Sequence, residues 1–120
     1  MAKTLISLEI IKMEMEIKKT KTYKDESSIT EQFDILVDGR SVGQGTMILD
    51  DEMPYLERID IDAEYRGKGL GTHALYELRN IYGSFLTAPD NEGSKRLMER
   101  IGTENTDGLP MDQGFGVYEI

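Results

Sequence analysis

Residues 59–72 run IDIDAEYRGKGLGT. The run opens as Ile59-Asp60-Ile61-Asp62, an apolar/acidic alternation with the period of a strand. It closes as Arg66-Gly67-Lys68-Gly69-Leu70-Gly71-Thr72. Beyond it, apolar residues at 70, 74, 75, 78, 81 and 82 form a helical stripe that Gly83 ends. The unit is therefore strand, glycine turn, helix. Glycines at 67, 69 and 71 let a ligand approach the backbone closely, and the first turn of a helix presents unpaired N–H groups. Such a turn binds phosphate oxygens through those amides and the positive end of the helix dipole. Arg66 and Lys68 add formal charge at the same place. A dinucleotide fingerprint needs Gly-x-Gly-x-x-Gly after an earlier βαβ strand, and here the third glycine comes one residue early. A Walker loop needs Gly-Lys-Ser/Thr, but Lys68 is followed by Gly69.

Upstream, residues 10–18 alternate, with Ile11, Met13, Met15 and Ile17 on one face and Lys12, Glu14, Glu16 and Lys18 on the other. This predicts a half-buried strand. Residues 19–31 show no apolar period and are expected to be a loop. Strands are expected at 33–37 and 42–49, joined by the Asp38-Gly39 turn, and at 55–61. Gly43 and Gly45 weaken the middle strand or mark a close backbone approach. Downstream, a short strand is expected at 84–88. A second helix carries Leu97, Met98 and Ile101 on one face and closes at Gly102. Residues 103–114 are expected to be a loop and 115–120 a final strand. The order gives an α/β (α+β) chain, a mixed, mostly antiparallel sheet with two helices.

With 120 residues, the chain is expected to be one domain spanning 1–120. No apolar run reaches the roughly 20 residues of a membrane span, so no membrane partner is expected. There is no cysteine and a single histidine, His73, which excludes thiolate and His-rich metal sites. These features fit a cytoplasmic protein. Residues 1–24 hold six Lys against three Glu, a charge of +3, so a total of −9 leaves −12 on residues 25–120. Residues 50–64 alone hold seven acids against Arg58. An acidic body argues against a nucleic-acid partner and suits a cationic one such as an amine. The plainer account of the acids is a solvated face.

The spacing Arg66, Gly69, Gly71 resembles the acetyl-CoA pyrophosphate loop of the GNAT N-acetyltransferase superfamily. A second segment, NEGSKRLMERIG at 91–102, resembles the family's other cofactor segment through Asn91, Ser94, Leu97 and Gly102. The resemblance covers about residues 32–120. It implies transfer of acetyl from acetyl-CoA to an amine acceptor, a small molecule or a protein lysine. On this reading Ile59 and Ile61 pair with the pantetheine arm. Arg66, Gly67, Lys68, Gly69, Leu70, Gly71 and Thr72 hold the pyrophosphate, and Asn91 and Ser94 contact the arm. Two departures stand out. Met98 occupies the place of the family's usual tyrosine, the acid for the leaving thiolate, leaving water, a tyrosine such as Tyr118, or no acid at all. The family's two helices between its first two strands have only residues 19–31 here. An open cleft, a macromolecular acceptor or a homodimer completing the site would follow.

An attacking amine must shed a proton, so a carboxylate beside the cleft is expected. Alternation places Glu57 on the face of Ile59 and Ile61, with Asp60 and Asp62 opposite, which makes Glu57 the candidate base. His73, in the first helical turn, is expected to be structural or phosphate-adjacent. The alternative is a non-catalytic CoA-binding or interaction module.

Overall fold

Alternation builds the centre of the sheet. In Ile29–Val37 (β2), Glu31, Phe33 and Ile35 turn inward and are buried, while Gln32 and Asp34 between them stay partly exposed. A computed structural model describes residues 14–50, 52–89, 91–104 and 117–120. Around β2 lie Met15–Lys24 (β1), Arg40–Leu49 (β3) and Tyr55–Ile61 (β4). A 3-10 turn, Ala63–Tyr65, leads into the helix Leu70–Tyr82 (α1). Leu86–Thr87 (β5), Glu92–Ile101 (α2), Thr103–Glu104 (β6) and Tyr118–Glu119 (β7) complete the order. The seven strands form one sheet, β1-β2-β3-β4-β5-β7-β6. Among the described residues only β4 and β5 pair in parallel, and α1 is the crossover that parallel pairing requires. No helix among the described residues is long and apolar enough to cross a membrane.

The core lies between the sheet and the helices. Phe33, Ile35, Met47, Leu56, Leu75, Leu78, Phe85 and Met98 are fully buried. Each such aliphatic or aromatic side chain contributes about 1.5–3 kcal/mol by leaving water. Helix α1 supplies Leu70, Ala74, Leu75 and Leu78 at helical spacing, and α2 supplies Met98. Gly45 marks a close approach: an added Cβ would strike the Phe33 ring and sit 2.6 Å from the Arg58 carbonyl.

Several expectations fail at element boundaries. Residues 19–31 are not a loop. β1 pairs with β2 from Met15↔Val37 to Lys24↔Ile29, which leaves only 25–28 as the hairpin turn. From Lys18 to Lys24 the strand is exposed on both faces, so no apolar period exists to announce it. There the Asp25 carboxylate accepts the amides of Ser27 and Ser28, both at 2.9 Å, which lowers its pKa. The expected strand at 10–13 lies outside the described residues. The strand near 84–88 shortens to Leu86–Thr87, and Thr103–Glu104 is a strand rather than loop. Residues 105–116 lie outside the described part, so the last strand is seen only as Tyr118–Glu119.

The hairpin is tied to the far end of α1. The Tyr82 hydroxyl donates to Glu31 Oε1 at 2.8 Å, and Lys19 Nζ lies 3.3 Å from Glu31 Oε2 and over the Tyr82 ring. Burial and the Glu31 hydrogen bond push the Tyr82 phenol pKa upward.

Candidate functional site

Only two rungs join β4 to β5, Tyr55↔Leu86 and Leu56↔Thr87. The Thr87 hydroxyl donates to the Leu56 carbonyl at 3.1 Å, and the Leu86 amide donates to the Pro54 carbonyl at 2.8 Å. Beyond them β4 runs on to Ile61 while β5 stops at Thr87. The strands part, and a cavity of about 450 Å³ opens there. Ile59, Asp60 and Ile61 line it from β4, followed by Tyr65. Arg66, Gly67, Gly69, Leu70, Gly71 and Thr72 line it from the head of α1. Asn91, Gly93, Ser94, Leu97 and Arg100 line it from α2.

The glycine turn has a different reason at each position. Gly67 and Gly69 adopt φ of 77° and 78°, the left-handed region, and a Cβ on either would meet nothing within 4 Å. These two permit the turn and leave open space over it. Gly71 differs from the expectation of ligand approach alone. A Cβ there would lie 3.2 Å from Leu97 Cδ2, so it also lets α2 pack against the first turn of α1. Leu70 anchors the turn in the core. Arg66 Nε donates to the Ile61 carbonyl at 2.7 Å, pinning the turn to the end of β4. Gly69 occupies the N-cap of α1, and no side chain caps that helix. At the head of α2, by contrast, the Asn91 side chain accepts the Ser94 amide at 2.8 Å. Two helix N-termini thus border one cavity, and such ends favour anionic groups.

Ten of the eleven residues expected to bind the donor line this one cavity: Ile59, Ile61, Arg66, Gly67, Gly69, Leu70, Gly71, Thr72, Asn91 and Ser94. Lys68 does not line the cavity. Its ammonium lies 5.8 Å from the centre of the ring of Tyr65, which does line it. The placement expected for Glu57 is overturned. Thr46 pairs with Arg58 and Met47 with Leu56, so β4 carries one extra residue, a bulge at Glu57. Leu56, not Glu57, therefore shares the inward face with Ile59 and Ile61. Glu57 is exposed and outside the cavity lining. Its charge, after burial, helps push the Tyr55 phenol pKa upward. Asp60 does face away from the core, paired with Arg58 at 2.6 Å. Met98 and Tyr118 are core residues, 1% and 3% exposed. His73 is half-exposed, 3.9 Å from Glu77 on the next turn.

Asp60, Tyr65, Gly93 and Arg100 also line the cavity and are not among the residues the sequence points to. The signal for Arg100 was available: Asn91, Ser94, Leu97 and Arg100 recur every three residues, one stripe along a helix.

The chain matches the acetyltransferase (GNAT) family over residues 7–103. No curated protein matches it. Among solved structures it is similar to an acetyltransferase from Agrobacterium tumefaciens str. C58, with 20% sequence identity and a TM-score of 0.58. The likeness covers 76% of this chain and 60% of that one, and it is a likeness of fold.

Proposed function

The chain belongs to the acetyltransferase (GNAT) family, and we propose that it transfers an acetyl group from acetyl-CoA to a primary amine. The acceptor is a protein lysine, a polyamine or a small amine. The observation that carries this reading is the cleft: parted strands, an open glycine turn and two helix N-termini around one cavity. Its volume, about 450 Å³, lies in the range of about 300–1,000 Å³ usual for small-molecule sites. The residues present suit the donor, which supplies an activated acyl thioester. Uncapped amides of α1 and the Arg66 guanidinium meet the pyrophosphate charge. Ile59 and Ile61 offer backbone groups on the open side of β4 to the amides of the pantetheine arm. Asn91 and Ser94 border that arm at the head of α2.

Glu57 takes the proton from the acceptor through water. Support for this role is its position in the chain, one residue past the last β4–β5 rung, with its carboxylate exposed to solvent outside the cavity lining. An amine of pKa near 10 is deprotonated in only about one molecule per thousand at neutral pH. A positioned base is worth about 10²–10⁴-fold in rate. Glu57→Gln is expected to lose that factor at pH 7 and to recover activity as pH rises. A pH–rate profile superimposable on wild type removes Glu57 from the mechanism.

A second reading, a CoA-binding module without turnover, is favoured by Met98, which is buried where a tyrosine acid is usual. Calorimetry with acetyl-CoA, followed by CoA release across a panel of amines, separates the two. Turnover on any amine establishes the enzyme. Binding with no turnover on any of them establishes the module.

A further inference from the structure

We propose that Arg100 reads the 3′-phosphate of the bound donor, so that the cleft selects coenzyme A over its dephospho form. The proposal rests on the acyl-CoA reading of the cleft and adds a selectivity to it.

The cavity has a direction, and α2 measures it. Asn91, Ser94, Leu97 and Arg100 all line it, spaced by threes along one face. Asn91 follows closely on Thr87, where β5 ends and the split with β4 begins. Leu97 faces the glycine turn, since a Cβ on Gly71 would lie 3.2 Å from its Cδ2. Helix α2 therefore crosses the turn at Leu97, with Asn91 on the side of the split. Arg100 lies one further step of about 4.5 Å along the axis, on the side away from the split. A donor whose thioester end enters the split and whose pyrophosphate rests on the turn must continue past Leu97. In coenzyme A the group that follows is the adenosine ribose with its 3′-phosphate.

Arg100 suits that group chemically. Among the described residues, Arg66 and Arg100 are the two cationic side chains lining the cavity, in a chain of net charge −9. Arg66 is turned back to the Ile61 carbonyl. Arg100 is exposed and makes no ion pair among the described residues, whereas Lys95 on the same helix lies 3.9 Å from Glu99. A guanidinium matches a terminal phosphate with two parallel N–H···O bonds. Arg100 also sits in the last turn of α2, where a cation complements the helix dipole. That role is independent of any ligand.

The test is calorimetry with coenzyme A and with dephospho-coenzyme A on wild type, Arg100→Gln and Arg96→Gln. Arg96 is exposed on the same helix and outside the cavity, so its loss controls for charge. Wild type is expected to bind coenzyme A about tenfold more tightly than the dephospho form, the scale of one charge-assisted hydrogen bond. Arg100→Gln should bind both at the weaker level, and Arg96→Gln should keep the gap. Equal binding of both by wild type, or a gap that survives in Arg100→Gln, overturns the proposal alone. Failure of folded wild type to bind either overturns the acyl-CoA reading beneath it.

Discussion

Along its ten residues β1 half-buries only Met15 and Ile17, whereas α1 buries Leu70, Ala74, Leu75 and Leu78 beside the cleft. The first element is held by rungs to β2 and by the Lys19–Glu31–Tyr82 contacts at one point. The second is held by close-packed apolar surface. The chain thus combines a hydrogen-bonded arm with a cleft set on packed apolar surface. Backbone pairing exchanges hydrogen bonds with water for internal ones at small net gain, whereas packing is paid for by every buried methylene. The arm is therefore expected to open independently of the cleft.

The largest expected effect lies under the cleft. Leu75→Ala, at a position 0% exposed, is expected to cost about 2–5 kcal/mol. Lys21→Ala in the exposed part of β1 should stay within about 0.5 kcal/mol. Urea unfolding of the two variants measures the contrast, and equal losses would erase it. Next in size is Gly69→Val. Its φ of 78° costs a side chain about 1–2 kcal/mol, and the new side chain enters the open space over the turn. The variant is expected to stay folded by circular dichroism and to lose acetyl-CoA binding by calorimetry. Smallest is Tyr82→Phe, which removes the hydroxyl on Glu31 at a cost of about 1 kcal/mol. Because the folded-state pKa of Tyr82 is raised, its contribution is fully present below the unfolded value near 10. It is lost as pH climbs past that value. Wild-type stability should therefore fall above pH 10 with a component that Tyr82→Phe lacks, and parallel pH curves would contradict the tie.

The same contrast decides what could be read from the chain. Residues 59–72 and the helix after them are legible because φ near 78° and a buried stripe each restrict residue choice. The run KKTKTYK at 18–24 restricts nothing, since both of its faces meet solvent, and its strand exists only through its partner. The bulge at Glu57 is hidden for a related reason. Alternation within one strand assumes unbroken register, and register belongs to the pair β3–β4. The direction of the Lys68 side chain is not legible either, because a basic residue inside a turn has no fixed side; here it lies over the Tyr65 ring. Asn91 does two jobs that its sequence position does not separate, capping α2 and bordering the cavity.

The central claim is that the donor sits where the two helix heads face the parted strands, and that the arm takes no part in holding it. Amide chemical-shift mapping with acetyl-CoA on the full chain tests this most directly. The expected shifts fall at Ile59 and Ile61, from Arg66 to Thr72, and at Asn91, Ser94 and Arg100, with Lys18 to Lys24 unmoved. Saturating acetyl-CoA that leaves the Arg66–Thr72 amides unshifted, or that moves the arm instead, would contradict it.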